Sequence, residues 1–267
     1  MTHNRYHAND RMSDLIQGDY RLLQVMSRFG IALGFGDRTV EEVCVAAGVD
    51  TGTFLAVAQF LQEEDELVHD NVDTLSLTAL LDYLKRAHSY YLDFSLPAIR
   101  QKLVRVIDST QGGEIGMLIL KFFDEYAGEV REHMEFEDRY EFAYVRSLMQ
   151  GDVAQAEAIA CQVCPPKASS PCRLEVSPNA YQAGERSNIL LFTRRHAMQH
   201  KLIDSKLAEL KNIIIKYYPA SGDNPLLGAV LFDIFICEED LALHCRIEDC
   251  LFVPAVRLLE KSVEYEK

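Results

Sequence analysis

Basic residues are in short supply in this chain: 27 Lys and Arg stand against 41 Asp and Glu, for a formal net charge of −14. An acidic surface repels phosphate backbones, which argues against general nucleic-acid binding. Long apolar runs are missing too. No stretch reaches eighteen consecutive apolar residues, so no membrane-spanning helix is expected. The opening residues, MTHNRYHANDRMSD, lack the apolar centre of a secretion signal. Cysteine offers no disulfide framework: there are seven, an odd number at scattered spacings, which fits a reducing, cytoplasmic setting. No segment shows sustained alternation of polar and apolar residues, so strands are not expected.

What is present is a globular composition, 48% hydrophobic and 25% charged over 267 residues, enough to bury a sizeable core. Residues 1–12 are expected to form a disordered tail. Residues 13–66 read as a small helical domain. In it a helix covers Leu15–Phe29, and Gly30, Gly34 and Gly36 break it. Thr39 opens a second helix with Glu42 completing a capping box, Gly48 closes it, and a third runs from about Gly52 to Gln62. A polar linker follows at 65–74. Residues 75–264 then carry four long amphipathic segments: about Leu77–Ile107, with a kink near Pro97; Glu114–Met149; Ser187–Tyr217; and Leu226–Ser262. A Pro/Ser/Cys-rich loop occupies about 162–186. The expected fold is all-α: an up-down four-helix bundle preceded by the small helical domain.

Histidine marks the inward stripe of every long segment. His133 is followed four residues later by Glu137, and His244 by Glu248, so each pair shares one helix face. His88 lies on the first segment, and His196 and His200 lie one turn apart on the third. A lone histidine on such a stripe is ordinarily a satisfied core residue. Counting along the helices argues otherwise. At about 1.5 Å per residue, His88 and His133 both sit roughly 30 Å from the turn that joins their segments. His200 and His244 are level to within about one turn in the same way. Independent core histidines have no reason to align. One layer would then hold four imidazoles and two carboxylates, which suits two metal ions bridged by carboxylates. The donor set favours iron, or manganese, over a structural zinc site. By level alone, either or both of His196 and His200 would serve.

The pieces AHSYYLDFSLPAIRQKL, HMEFEDRYEFAYV, HKLIDSKLAEL and HCRIEDCLFVPAV resemble the hemerythrin-like cation-binding domain. They are closest to its iron–sulfur cluster repair branch, the repair-of-iron-centres proteins. The resemblance spans about residues 75–262. It implies a non-haem di-iron centre with His88, His133, Glu137, His200, His244 and Glu248 on ligand positions, favours His200 over His196, and makes Glu137 and Glu248 the bridges. It also implies a cytoplasmic stress-response protein that binds O2, NO or peroxide and supplies iron to damaged iron–sulfur proteins. Tyr126 and Tyr140 are candidate donors behind the ligands.

Residues 20–61 look like the small domain that precedes this bundle in the family. That domain carries a Cys-Cys pair, and here Gly34 and Phe35 stand in its place. Cys44 reads as a small buried apolar residue. Two alternatives follow from other features. The stretch TVEEVCVAAGVDTGTFLAVAQFL has the form of a helix-turn-helix, so a di-iron-gated transcriptional regulator is one. Its would-be recognition helix has no Lys or Arg, against what phosphate contact requires. A simple O2- or iron-binding hemerythrin is the other. Cys161, Cys164 and Cys172 form C-x2-C-x7-C with no fourth ligand at a suitable spacing, and read as free thiols in a loop.

Overall fold

A computed structural model describes residues 5–62, 72–110, 113–163, 187–218 and 224–265. Every regular element among the described residues is helical, and the only β-pairing there is an isolated bridge between Arg11 and Thr39. No helix among them is long and apolar enough to cross a membrane.

The N-terminal region holds α1 (Met12–Gly18), α2 (Leu22–Phe29), α3 (Val40–Ala47) and α4 (Thr51–Phe60). The single helix expected over 15–29 is thus two. Gly18 weakens the helix, and the carboxylate of Asp19 accepts from the backbone N–H of Arg21 at 3.0 Å, which competes with helical pairing. Thr39 and Glu42 do form the capping box, and Gly48 closes α3 at φ 68°. The expected disordered tail is ordered in its described part. The carbonyls of Ala8 and Asp10 accept from Glu41 and Val40 N–H, two first-turn donors of α3 that would otherwise lack partners.

Four rods follow. The first is α5 (Leu77–Tyr90) continued by α6 (Leu96–Thr110), and the second α7 (Gly113–Phe136) continued by α8 (Phe142–Met149). A short α9 (Val153–Val163), not anticipated from sequence, precedes the expected Pro/Ser/Cys loop and reaches its first two residues; residues 164–186, with Cys164 and Cys172, lie outside the described residues. The third rod is α10 (Ile189–Tyr217), and the fourth α11 (Pro225–Ile247) continued by α12 (Val253–Tyr265). α6 packs against α7 and α11, and α10 against α7 and α11.

Three rods pass through a π-turn at mid-length: Tyr91–Ser95, Glu137–Glu141 and Glu248–Phe252. In each, an N–H reaches back five residues, from Leu96 to Tyr91, Phe142 to Glu137 and Val253 to Glu248. Pro97 and Pro254 each stand just past such a turn. The carbonyls they cannot pair, those of Asp93 and Cys250, fall inside it, so the rods continue where an ordinary helix would break.

Apolar packing divides into two cores. One joins α1–α4 to the ends of the rods around Leu80, Tyr83, Leu84, Phe142, Phe192 and Phe252. The other fills the opposite half, around Tyr91, Leu103, Phe123, Val130, Leu210 and Ile234. The N-terminal helices therefore share a core with one end of the rods. Between the two cores lies a layer of buried polar side chains.

Candidate metal centre

That layer contains six of the residues singled out from sequence. His88, His133, Glu137, His244 and Glu248 are each no more than 3% exposed, and His200 is 8% exposed. The π-turns place them. Glu137 and Glu248 each begin one, and His88 sits a turn before the third. π-turns inside α-helices are frequent at functional sites, and the wider turn redirects side chains that a regular helix would aim elsewhere.

The side chains form two groups, each with donor atoms within 4.8 Å of one another: His88, Glu137, His244 and Glu248; and His133, Glu137 and His200. Glu137 belongs to both. One of its oxygens lies 3.2 Å from His88 Nε2 and the other 3.0 Å from His133 Nε2. His133 Nε2 is also 2.9 Å from His200 Nε2. Glu248 Oε2 is 3.8 Å from His244 Nε2 and 4.0 Å from His200 Nε2. The Nε2 atoms of all four histidines thus converge on carboxylates.

Two outer contacts orient the rings. His88 Nδ1 pairs with Asp138 Oδ1 at 3.3 Å, and His133 Nδ1 with Gln199 Oε1 at 3.2 Å. A proton held at Nδ1 leaves the Nε2 lone pair facing inward, the arrangement a metal-binding imidazole needs. Sequence reasoning did not find Asp138 or Gln199; the only signal is that each adjoins a ligand candidate.

Glu141 was missed as well. It is 1% exposed, whereas Tyr140, expected on the inward stripe, is half-buried with its ring on Phe136. The π-turn is the cause, since it advances the inward position by one residue. Tyr126 is fully buried with its ring near Phe123, in the apolar half below the layer. His196 lies on α10 one turn before His200, and its side chain is outside the described ones.

Burial strains this set electrostatically. Glu248 and Glu141 have pKa values raised well above the ordinary carboxylate range, first by burial and then by repulsion from Glu137. Burial, then the charge of His88, pushes His244 well below the imidazole range. For His88 burial acts downward, but Asp138 and Glu137 together carry it upward. Both oxygens of Glu248 and both ring nitrogens of His244 are buried without a hydrogen-bond partner. Leaving a carboxylate so placed costs several kcal/mol unless a cation compensates it. The residues present therefore fit a pair of cations.

A pH dependence follows for the metal-free protein. Above about pH 6.5, the contribution of His244's low pKa is complete and that of His88's raised pKa is being lost. The raised carboxyl groups bind more protons folded than unfolded, so their ionisation also opposes folding as pH rises. The thermal midpoint of metal-free protein should fall as pH rises above about 6.5. Glu248→Gln should flatten that slope; an equal slope in parent and variant would contradict this account.

The other candidates fall away from the layer. α3 and α4 meet at 120°, as helix-turn-helix elements do, but Thr53, Phe54, Val57, Ala58 and Phe60 of α4 are buried, and the Arg246 guanidinium covers Phe60 at 4.7 Å. What stays exposed or partly exposed on that helix is Thr51, Gly52, Leu55 and Ala56, none of them basic, so it offers no cation to a phosphate backbone. Cys44 is fully buried and burial pushes its thiol up to about 11, so it is no thiolate nucleophile. Cys161 is exposed and free. No family model matches this chain, and no curated protein matches it.

Proposed function

We propose that the chain is a hemerythrin-like protein whose long rods form an up-down four-helix bundle around two non-haem metal ions, iron in the first instance and manganese as the alternative. The observation that carries the reading is Glu137, a buried carboxylate with one oxygen turned to each of two histidine groups. An ordinary satisfied core histidine does not require this, and a bridge between two cations does. The partnerless atoms of His244 and Glu248 support it. Histidine and carboxylate donors without cysteine suit iron or manganese rather than structural zinc.

His88, Glu137, His244 and Glu248 would hold one ion, and His133, Glu137 and His200 the other, with Glu248 leaning toward His200 as the second bridge. Asp138 and Gln199 keep His88 and His133 in the tautomer that offers Nε2. The two apolar cores above and below exclude water from the layer and strengthen every charge interaction inside it. Bound iron would supply one-electron redox chemistry and affinity for O2, NO or peroxide. On this reading the protein serves the cytoplasmic response to oxidative or nitrosative stress, with iron as cargo for damaged iron–sulfur proteins. Gly34 and Phe35 provide no thiol, so any such handover would proceed without a cysteine pair at that position.

Protein purified without oxygen and titrated with Fe(II) should bind two ions per chain. Fewer than one ion per chain with helix content intact would refute the reading.

A further inference from the structure

His244 is held differently from the other rings. His88 and His133 are fixed by hydrogen bonds at Nδ1, but neither nitrogen of His244 has one. Its orientation is set by neighbouring rings, His88 at 5.1 Å and 64°, and Tyr91 at 5.8 Å and 77°. The position of Tyr91 therefore bears directly on where His244 points.

Tyr91 is fully buried, and its hydroxyl accepts from Nη2 of Arg28 at 3.0 Å. Arg28 belongs to α2 in the N-terminal region, yet it is only 3% exposed. The same nitrogen donates to Asp240 Oδ2 at 2.5 Å. Asp240 lies on α11 one turn before His244. The guanidinium also lies 5.1 Å from the centre of the Tyr91 ring. One buried cation from α2 thus grips both elements that flank His244: the point where the first rod widens, and the turn of α11 that leads into the ligand.

We propose that Arg28 is a positioning residue for His244, through which the N-terminal helices set the metal affinity of one half of the site. The proposal rests on the metal-binding reading above. Its physical basis is the planar guanidinium, whose fixed fork can serve a carboxylate and a hydroxyl together. Without it, Asp240 keeps a largely buried charge with no guanidinium beside it, and the Tyr91 hydroxyl loses the donor that ties it to α2 and keeps only its contact with Asp240. Coupling of this kind is reciprocal: a metal ion bound at His244 tightens the docking of α2 by the same factor by which α2 tightens the ion.

The test uses the full chain and Co(II), whose visible absorption reports coordination geometry. Parent protein should take up two Co(II) per chain. Arg28→Met should weaken one of the two steps tenfold or more, within the range for loss of a group that orients a ligand, and should change the spectrum of that ion alone. Arg28→Lys should recover part of the affinity. Tyr91→Phe, which removes one hydroxyl and leaves the packing, should weaken the same step and decides the matter if Arg28→Met fails to fold. Two bound ions in the parent with unchanged steps in Arg28→Met, or in Tyr91→Phe where that variant decides, would overturn the coupling and leave the metal site standing. No Co(II) bound by the parent would overturn both.

Discussion

If the chain holds two metal ions as proposed, Glu137→Gln is expected to cost it both, not one. The side chain stands at the junction of two ligand groups, 3.2 Å from His88 Nε2 and 3.0 Å from His133 Nε2. Glutamine keeps the shape but gives up the charge and turns an amide N–H2 toward one of those nitrogens. Each ion then loses an anionic donor, and the affinity of both steps should fall by more than about a hundredfold, beyond the range seen for outer partners of a metal ligand. The metal-free variant should move the other way. Glu137 is a cause of the raised pKa values of Glu141, Glu248 and Asp249, so removing its charge relieves repulsion in a buried layer. Metal binding lost together with a thermal midpoint at or above that of metal-free parent separates a broken site from a broken fold. Retention of one tightly bound ion would show that Glu137 serves a single site and would sink the bridged arrangement.

The largest stability loss is expected at Glu260, in α12 beyond the last π-turn. This residue of α12 is 7% exposed and accepts four hydrogen bonds. They come from the Tyr144 hydroxyl at 2.5 Å, the Ser187 hydroxyl at 2.5 Å, and the backbone N–H groups of Asn188 and Ile189, both at 3.0 Å. Its charge thus caps the N-terminus of α10, where the helix dipole favours an anion, and ties that end to the second and fourth rods. Glu260→Ala leaves buried donors without an acceptor and should cost roughly 3–5 kcal/mol. Glu260→Gln should cost only about 1 kcal/mol. Three of the four bonds fall on Oε1, and the Ser187 hydroxyl can reverse to accept from the amide. Urea unfolding gives the comparison directly: the midpoint should drop steeply for Ala and slightly for Gln, with the slope unchanged. Equal losses in the two variants would show that burial of the charge, rather than its bonds, governs this position.

Periodicity carried most of the fold. The four long segments, the capping box at Thr39 and the stop at Gly48 all follow from residue spacing. So does the meeting of His88, His133, His200 and His244 in one layer, because rise per residue converts a count into a height. What spacing hides is the π-turn. An extra residue in one turn leaves the apolar stripe on either side looking regular, so Tyr140 reads as inward when Glu141 is. Asp138 and Gln199 escape for a related reason: an ideal helix turns each of them well away from its neighbouring ligand. Arg28 and Glu260 escape because a charged residue in an amphipathic helix reads as solvent-facing, and only the tertiary contacts with Asp240 and with the start of α10 reveal otherwise.

The shared core of the N-terminal helices and the rods has a consequence for modularity. A chain shortened to its four rods would keep every candidate ligand, yet it would strip Phe29 from the Tyr83 ring and remove Phe54 and Val57 from the core that also holds Leu80 and Leu84. What reads in sequence as a separate small helical domain contributes part of the core that adjoins the His/Glu layer. Deleting the first sixty residues is therefore expected to lower the unfolding midpoint of the rods themselves, which thermal or urea unfolding of the shortened chain would check.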